Sequence, residues 1–175
     1  APRIIRVRVT SPFRLESLSK GHNRSGFASG SDLLDRYLKM QATQDMRRHV
    51  ANCFVAIETS TGSVVAYYTI AAASISIVDL PPEDSKHLPR YPTVPAARVG
   101  RLAVDQNYQA RGLGKALLVD AALKAINAAP ASFALIVDAK DEPATAFYQH
   151  HGFRPLASLP RTLFLPLDTF RKSIR

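Results

Sequence analysis

Cysteine is nearly absent: the 175-residue chain has one, Cys53. A lone thiol excludes an internal disulfide framework. Within NCFVAIE it takes the place of a small buried hydrophobe in a strand. No Cys/His spacing resembles a zinc site, and no metal is expected. An apolar signal segment is missing from the opening APRIIRVRV, which alternates charged and β-branched residues. The expected setting is therefore intracellular, in the cytoplasm. The uncharged run GSVVAYYTIAAASISIV, Gly62 to Val78, carries several Ser and Thr and is too short and too polar for a membrane span. Repeats and low-complexity stretches are absent. Acidic residues are scarce, 14 against 23 Lys and Arg, for a formal net charge of +9. That excess favours polyanionic partners: nucleic acid, nucleotides or an acidic protein. No block of five like charges occurs, so this is not a disordered basic tail. The charge is spread over Arg47, Arg48, Arg90, Arg98, Arg101, Arg111, Lys115 and the closing FRKSIR.

What is present suits one globular domain over residues 1–175, with 46% apolar residues. IIRVRV, Ile4 to Val9, alternates at period two and reads as a strand. GSDLLDRYLKMQATQDMRRHV reads as helix, capped by Ser31 or Asp32 and breaking near Gln41. NCFVAIETSTGSVVAYYTI reads as a hairpin turning at Ser60, Thr61 and Gly62; a long buried strand is expected, with a helix-or-strand ambiguity at Ala71–Ala73. Five prolines between Leu80 and Arg98 mark an ordered loop or edge segment. ARVGRLAVD is the next strand. Gly112 to Asn127 is a helix with Leu113, Ala116, Leu117, Ala121 and Ala125 inward and Asp120, Lys124 and Asn127 as a polar stripe. SFALIVDA reads as a strand buried on both faces. DEPATAFYQHHGF is a helix capped at Asp141 or Glu142 and stopped by Gly152, and RTLFLPLD is a last strand. This order implies an α/β (α+β) domain: a mixed, mostly antiparallel central sheet flanked by helices, with two crossover helices late in the chain.

The stretch RLAVDQNYQARGLGKALL places a glycine turn between a strand and a helix N-terminus, a ready anion site. It fails the dinucleotide fingerprint, because Gly112, Gly114 and Leu117 do not complete the glycine triplet. It fails the P-loop pattern as well. Gln109 stands at the first glycine, and Ala116 stands where a magnesium-binding hydroxyl belongs. What remains, Gln109-x-x-Gly112-x-Gly114 with Arg111 and Lys115, suits a pyrophosphate held without a metal.

Followed by AxxFYxxxGF, Ala144 to Phe153, this turn resembles the GNAT N-acetyltransferase superfamily over roughly Asn52 to Leu167. SDLLDRYLKMQATQDMRRHVANCFVAIE, AYYTI, LPRYPTVPAARVGRLAVD and IVDAKDEPATAFYQHHGF together are similar to the GNAT toxins of type II toxin–antitoxin modules. The resemblance implies a GNAT-like single domain that acetylates the α-amino group of aminoacyl-tRNA from acetyl-CoA and so blocks translation. It implies a ribbon-helix-helix antitoxin as partner and a homodimer. It places Gln109, Ala110, Arg111, Gly112, Leu113, Gly114 and Lys115 around the pyrophosphate of acetyl-CoA. Leu102, Ala103 and Val104 offer backbone groups to the pantetheine arm. Tyr148 falls at the general-acid position. Arg47, Arg48, Arg90 and Arg98 are a candidate footprint for the tRNA acceptor stem. Asp141 stands where the superfamily often has Asn, and capping is the role expected of it.

The chemistry agrees with that picture. An α-amino group has a pKa of about 7.7–8.0 and needs no strong base to lose its proton near neutrality, unlike a lysine at about 10.4. ARVGRLAVD carries no carboxylate before Asp105. A phenol such as Tyr148 can protonate a departing thiolate, and a backbone N–H at Val104 can polarise the thioester carbonyl. His150 and His151 are adjacent on a helix and do not face each other, so they read as solvated or packed histidines. Asp138 and Asp141 read as turn and cap residues rather than paired acids. Two other readings stand beside the main one. One is an acetyltransferase of a protein N-terminus or a small amine; polyamines are disfavoured because a +9 protein repels cations. The other is a non-catalytic CoA- or nucleic-acid-binding module.

Overall fold

Short-range patterns account for most of the elements. The structure is a computed structural model describing residues 11–175, so the strand expected at Ile4–Val9 lies outside the described residues. In chain order it has β1 (Phe13–Ser17), α1 (Asp32–Met40), α2 (Ala42–Arg47), β2 (Asn52–Glu58), β3 (Val64–Ser76), α3 (Pro82–Ser85), β4 (Thr93–Val104), α4 (Leu113–Asn127), β5 (Ala134–Asp138), α5 (Glu142–His150), β6 (Arg154–Pro155), β7 (Thr162–Pro166) and α6 (Leu167–Ser173). Ser31 caps α1 by accepting from the Leu34 N–H, and Gln41 (φ −124°) separates α1 from α2 where the break was expected. The sequence patterns do not announce β1, β6 or α6. The strand expected to run to Asp168 ends at Pro166, where the chain turns into α6.

The described strands form one sheet in the order β1-β2-β3-β4-β5-β7-β6. Only β4 and β5 pair in parallel; the other neighbours are antiparallel. α4 carries the chain from β4 to β5. α5 carries it from β5 past β7 to β6. These are the two late crossovers.

Alternation along the strands assigns the two faces. Val55 and Tyr67 pack with Tyr37 and Leu38 of α1 and Ala42 of α2. Their neighbours Ala56 and Tyr68 point the other way, into a cluster with Leu117 and Ala121 of α4, Tyr148 of α5 and Phe170 of α6. A third cluster lies on the α1 side, where Ile75, Val94, Ile136 and Phe164 pack under Leu80 and Leu88 of the proline segment. Each fully buried Leu or Phe in these clusters contributes about 1.5–3 kcal/mol.

Three expectations need correction. Ala116 is exposed, and Leu118 and Ala122 are buried instead, because α4 lies flat on the sheet and buries two adjacent columns of side chains. β3 is buried only to Thr69; beyond Ile70 it alternates, and Ala71–Ala73 are strand because they pair with Arg98–Ala96 of β4. β4 begins at Thr93 rather than Ala97 and contains Pro95. Its ladder to β5 starts only at Ala96, so Pro95 has a full strand neighbour on one side and loses no bond there. The rest of the proline segment is ordered, as expected: Arg154 holds Asp84 with two hydrogen bonds of 2.6 and 3.0 Å. The polar stripe of α4 is also fastened rather than solvated. Asp120 accepts from the buried Tyr68 hydroxyl at 2.5 Å and from Lys124 Nζ at 2.7 Å, while Lys124 sits 4.3 Å above the Phe54 ring.

Candidate active site

Gly100 opens the sheet. Thr69 lies opposite Arg101 and Ile70 opposite Val99, which leaves Gly100 without a partner in a β-bulge. The buried Thr69 hydroxyl accepts from the Arg101 N–H at 3.1 Å, and a Cβ on Gly100 would lie 3.3 Å from that oxygen. The parallel ladder between β4 and β5 stops at Val99 and Val137. From Gly100 onward β4 has β3 on one side and an open edge on the other.

The bulge also reverses which residues face which side. Ala97 and Val99 pack toward α4, whereas past Gly100 it is Leu102 and Val104 that do so, and Ala103 joins the α1 cluster. Leu102 and Val104 therefore wall a cleft of about 510 Å³, closed by the turn Gln109–Lys115 and by Phe147, His150 and His151 of α5. The polar backbone of Val104 faces into this open side. Asp105 N–H donates to Val65 of β3 at 2.8 Å, so by strand alternation the N–H and C=O of Val104 point away from β3.

The turn has the backbone geometry of an anion cradle. Ala110 (φ +62°) and Gly112 (φ +79°) both hold left-handed backbone. Gly112 is the N-cap of α4, and no side chain caps this helix. The first helical bond is Ala116 N–H to Gly112 O at 3.0 Å, so the amides of Leu113, Gly114 and Lys115 have no acceptor within α4. The helix dipole adds partial positive charge at this end. Gly114 serves another purpose: a Cβ there would lie 3.0 Å from Phe147 Cζ, so its absence lets α5 close against α4. Gln109 does not present its side chain to the cradle. Its amide donates to Ser29 O at 3.2 Å and Val104 O at 3.1 Å, pinning the turn to β4 and to the segment before α1. Asp105, buried, accepts from Ala28 N at 3.0 Å and Asn107 N at 2.9 Å. Arg111 lies 5.0 Å over the Tyr108 ring, whose hydroxyl is bonded to Glu58. Lys115 is exposed at the mouth.

Tyr148 is buried in the same packed cluster that Leu102 and Val104 join, with its ring centroid 5.3 Å from Phe147 and 5.6 Å from Phe153. Its hydroxyl has no partner among the described residues and is not sealed from solvent. Burial, and secondarily the charge of Asp138, push the phenol up to about 12, so it holds its proton. Asp141 caps α5 by accepting from Ala144 N at 2.9 Å. Asp138 is bonded to Arg98 and to the Thr162 hydroxyl. The two carboxylates are not a pair. His151 packs on Phe147 at 4.8 Å, and burial lowers its pKa. Among the candidate tRNA residues, Arg47 and Arg48 are exposed at the last residue and C-cap of α2 and Arg90 is exposed in the proline segment, while Arg98 is ion-paired to Asp138. Arg101, which the sequence marks only as part of the charge excess, is half-buried and stacked on Tyr37.

A sheet that splays at a bulge, with an anion cradle at the base of the opening, defines an acyltransferase scaffold of the GNAT class. The acetyltransferase (GNAT) domain matches residues 49–155, and the chain belongs to that family. Among curated proteins it is 33% identical to a tRNA-acetylating toxin of Mycobacterium tuberculosis, over 90% of this chain and 93% of that one. It is 30% identical to a probable toxin TacT of Sinorhizobium fredii, over 86% of this chain and 88% of that one. Solved structures share the fold. AtaT complexed with acetyl-methionyl-tRNAfMet superposes with a TM-score of 0.85 at 24% identity, covering 93% of this chain and 99% of that one. AtaTR bound with AcCoA superposes with a TM-score of 0.79 at 23% identity, covering 94% and 99%.

Proposed function

We propose that the protein is an acetyl-CoA-dependent N-acetyltransferase toxin that modifies the α-amino group of aminoacyl-tRNA and thereby blocks translation. The observation that carries this reading is the α4 cradle opening onto the unpaired edge of β4, with a protonated Tyr148 in the adjoining cluster. Acetyl-CoA, when bound, supplies an activated acetyl thioester. The amides of Leu113, Gly114 and Lys115 hold its pyrophosphate, with Arg111 and Lys115 adding charge. Leu102, Ala103 and Val104 receive the pantetheine arm as an added strand, and the Val104 N–H polarises the carbonyl. As the α-amine forms its bond to the carbonyl carbon and the C–S bond breaks, Tyr148 would protonate the departing thiolate, and the proton lost by the nitrogen would return to the phenol through solvent. No side chain on β4 acts as base: Asp105 is already engaged by two backbone amides. An α-amine tolerates that absence.

The acceptor approaches from the opposite face, past the exposed Arg47, Arg48 and Arg90, with Arg98 at the bulge. We further propose an antitoxin partner of the ribbon-helix-helix type, a homodimer and a cytoplasmic site of action; the net charge of +9 favours a polyanionic acceptor. No helix among the described residues is long and apolar enough to cross a membrane. The test is incubation with labelled acetyl-CoA and charged tRNA. Label is expected on the aminoacyl α-amine, and Tyr148→Phe should bind acetyl-CoA normally while losing most turnover. Full turnover in that variant removes Tyr148 from the mechanism. Label only on protein or free amines replaces the substrate class.

A further inference from the structure

We propose that Arg101 is the acceptor-side phosphate ligand, its guanidinium holding a phosphodiester of the 3′-terminal nucleotides beside the Gly100 bulge. The inference rests on the acceptor being aminoacyl-tRNA. Arg101 directly follows the unpaired Gly100, and the bulge turns it to the same face as Arg98, opposite the cleft walled by Leu102 and Val104. An acceptor that meets the thioester from across β4 must therefore pass Arg101.

The side chain is prepared for an anion. Its Cζ lies 3.6 Å over the Tyr37 ring. Tyr37 is itself fixed by donating to Asp45 at 2.7 Å and by stacking on Tyr67 at 6.3 Å. Among the described residues the Arg101 guanidinium has no ion pair and no hydrogen bond, whereas Arg98 is paired with Asp138 and Arg154 with Asp84. A half-buried guanidinium on an aromatic plane keeps its donor fork rigid and unspent, the geometry that matches phosphate oxygens. In an aminoacyl-tRNA the anion nearest the reacting amine is the phosphodiester of the terminal nucleotide; the ester and ribose carry none.

Arg101→Gln and Arg101→Lys test this against two acceptors, aminoacyl-tRNA and a phosphate-free aminoacyl adenosine ester. The Gln variant should raise KM for aminoacyl-tRNA about tenfold and lower the slope of log KM against log salt by about 0.7, the value for one single-strand phosphate. It should keep kcat at saturation, KM for acetyl-CoA and all turnover of the phosphate-free ester. The Lys variant, which keeps the charge but not the fork, should fall between Gln and wild type. Equal losses on both acceptors, or wild-type kinetics on tRNA in both variants, overturn the assignment. If the wild-type protein acetylates neither acceptor, the proposed function itself fails and the assignment with it.

Discussion

Gly112 and Gly114 sit in one turn for two different reasons. Gly112 has open space where a Cβ would go but a φ of +79°, so its constraint is backbone conformation. Gly112→Ala should cost about 1–2 kcal/mol, the penalty for an L-residue in left-handed backbone, read as a lower denaturant midpoint. Gly114 is helical and conformationally ordinary; its constraint is the Phe147 ring 3.0 Å from where a Cβ would stand. Gly114→Ala gains helix propensity but must displace that ring. Its melting temperature should stay near wild type while KM for acetyl-CoA rises several-fold, because Phe147 is a wall of the cleft. An unchanged KM would mean that the wall moves without consequence for the cradle. Tyr148 belongs to this scale as well: burial, not a hydrogen bond, sets its protonation, so a phenylalanine there removes the donor and little packing.

α4 is the element that carries the site, and its hold on the sheet is partly polar. Tyr68 reaches from β3 to Asp120 in the middle of α4, and burial with that carboxylate keeps the phenol well above its usual range. Tyr68→Phe should lower stability by about 1–3 kcal/mol, since Asp120 is deprived of a buried donor and keeps only Lys124. Urea unfolding at constant slope measures it, and an unshifted midpoint would show that the bond to Lys124 suffices. The bulge of β4 is the other decisive element. It ends the ladder to β5, turns Leu102 and Val104 toward the cleft beside α4, and leaves Arg98 and Arg101 on the opposite face, the proposed acceptor side.

At the scale of the molecule, the two faces of the sheet divide the proposed work. In the proposed reaction the acetyl donor sits on the α4 and α5 side and the acceptor meets the α1, α2 and proline-segment side, where Arg47, Arg48 and Arg90 are exposed. If these cations meet the duplex stem, replacing Arg47 and Arg48 with Gln should reduce the salt slope of tRNA binding by about 0.9 for each phosphate no longer neutralised. Filter binding across a salt series reads it. An unchanged slope would place the stem elsewhere on the surface.

Local chemistry was legible in the chain itself. The cap at Asp141, for which Glu142 was the alternative, and the break near Gln41 depend on hydrogen bonds that reach only a few residues, and the two glycines before α4 marked a turn. The failed P-loop and dinucleotide patterns, each decided by residue identities within one turn, left a glycine turn suited to an anion. Pairing was not legible. Gly100, an isolated glycine inside a strand, is a hint of a bulge, but the bulge itself exists only relative to the strand beside it, here at Thr69 and Ile70. Ala116 faces solvent because the sheet below α4 selects the buried columns, those of Leu113, Leu117 and Ala121 and of Leu118 and Ala122. The pinning of Gln109 to Ser29 and the stacking of Arg101 on Tyr37 join residues far apart in sequence. Order along the chain was enough to mark the glycine turn, and the family resemblance pointed to Tyr148 as the proposed proton donor. The opening of β4 beside them, and the proposal of Arg101, which unlike Arg98 has no ion pair among the described residues, came from packing in three dimensions. Register and burial are set by contacts between segments that no local pattern encodes.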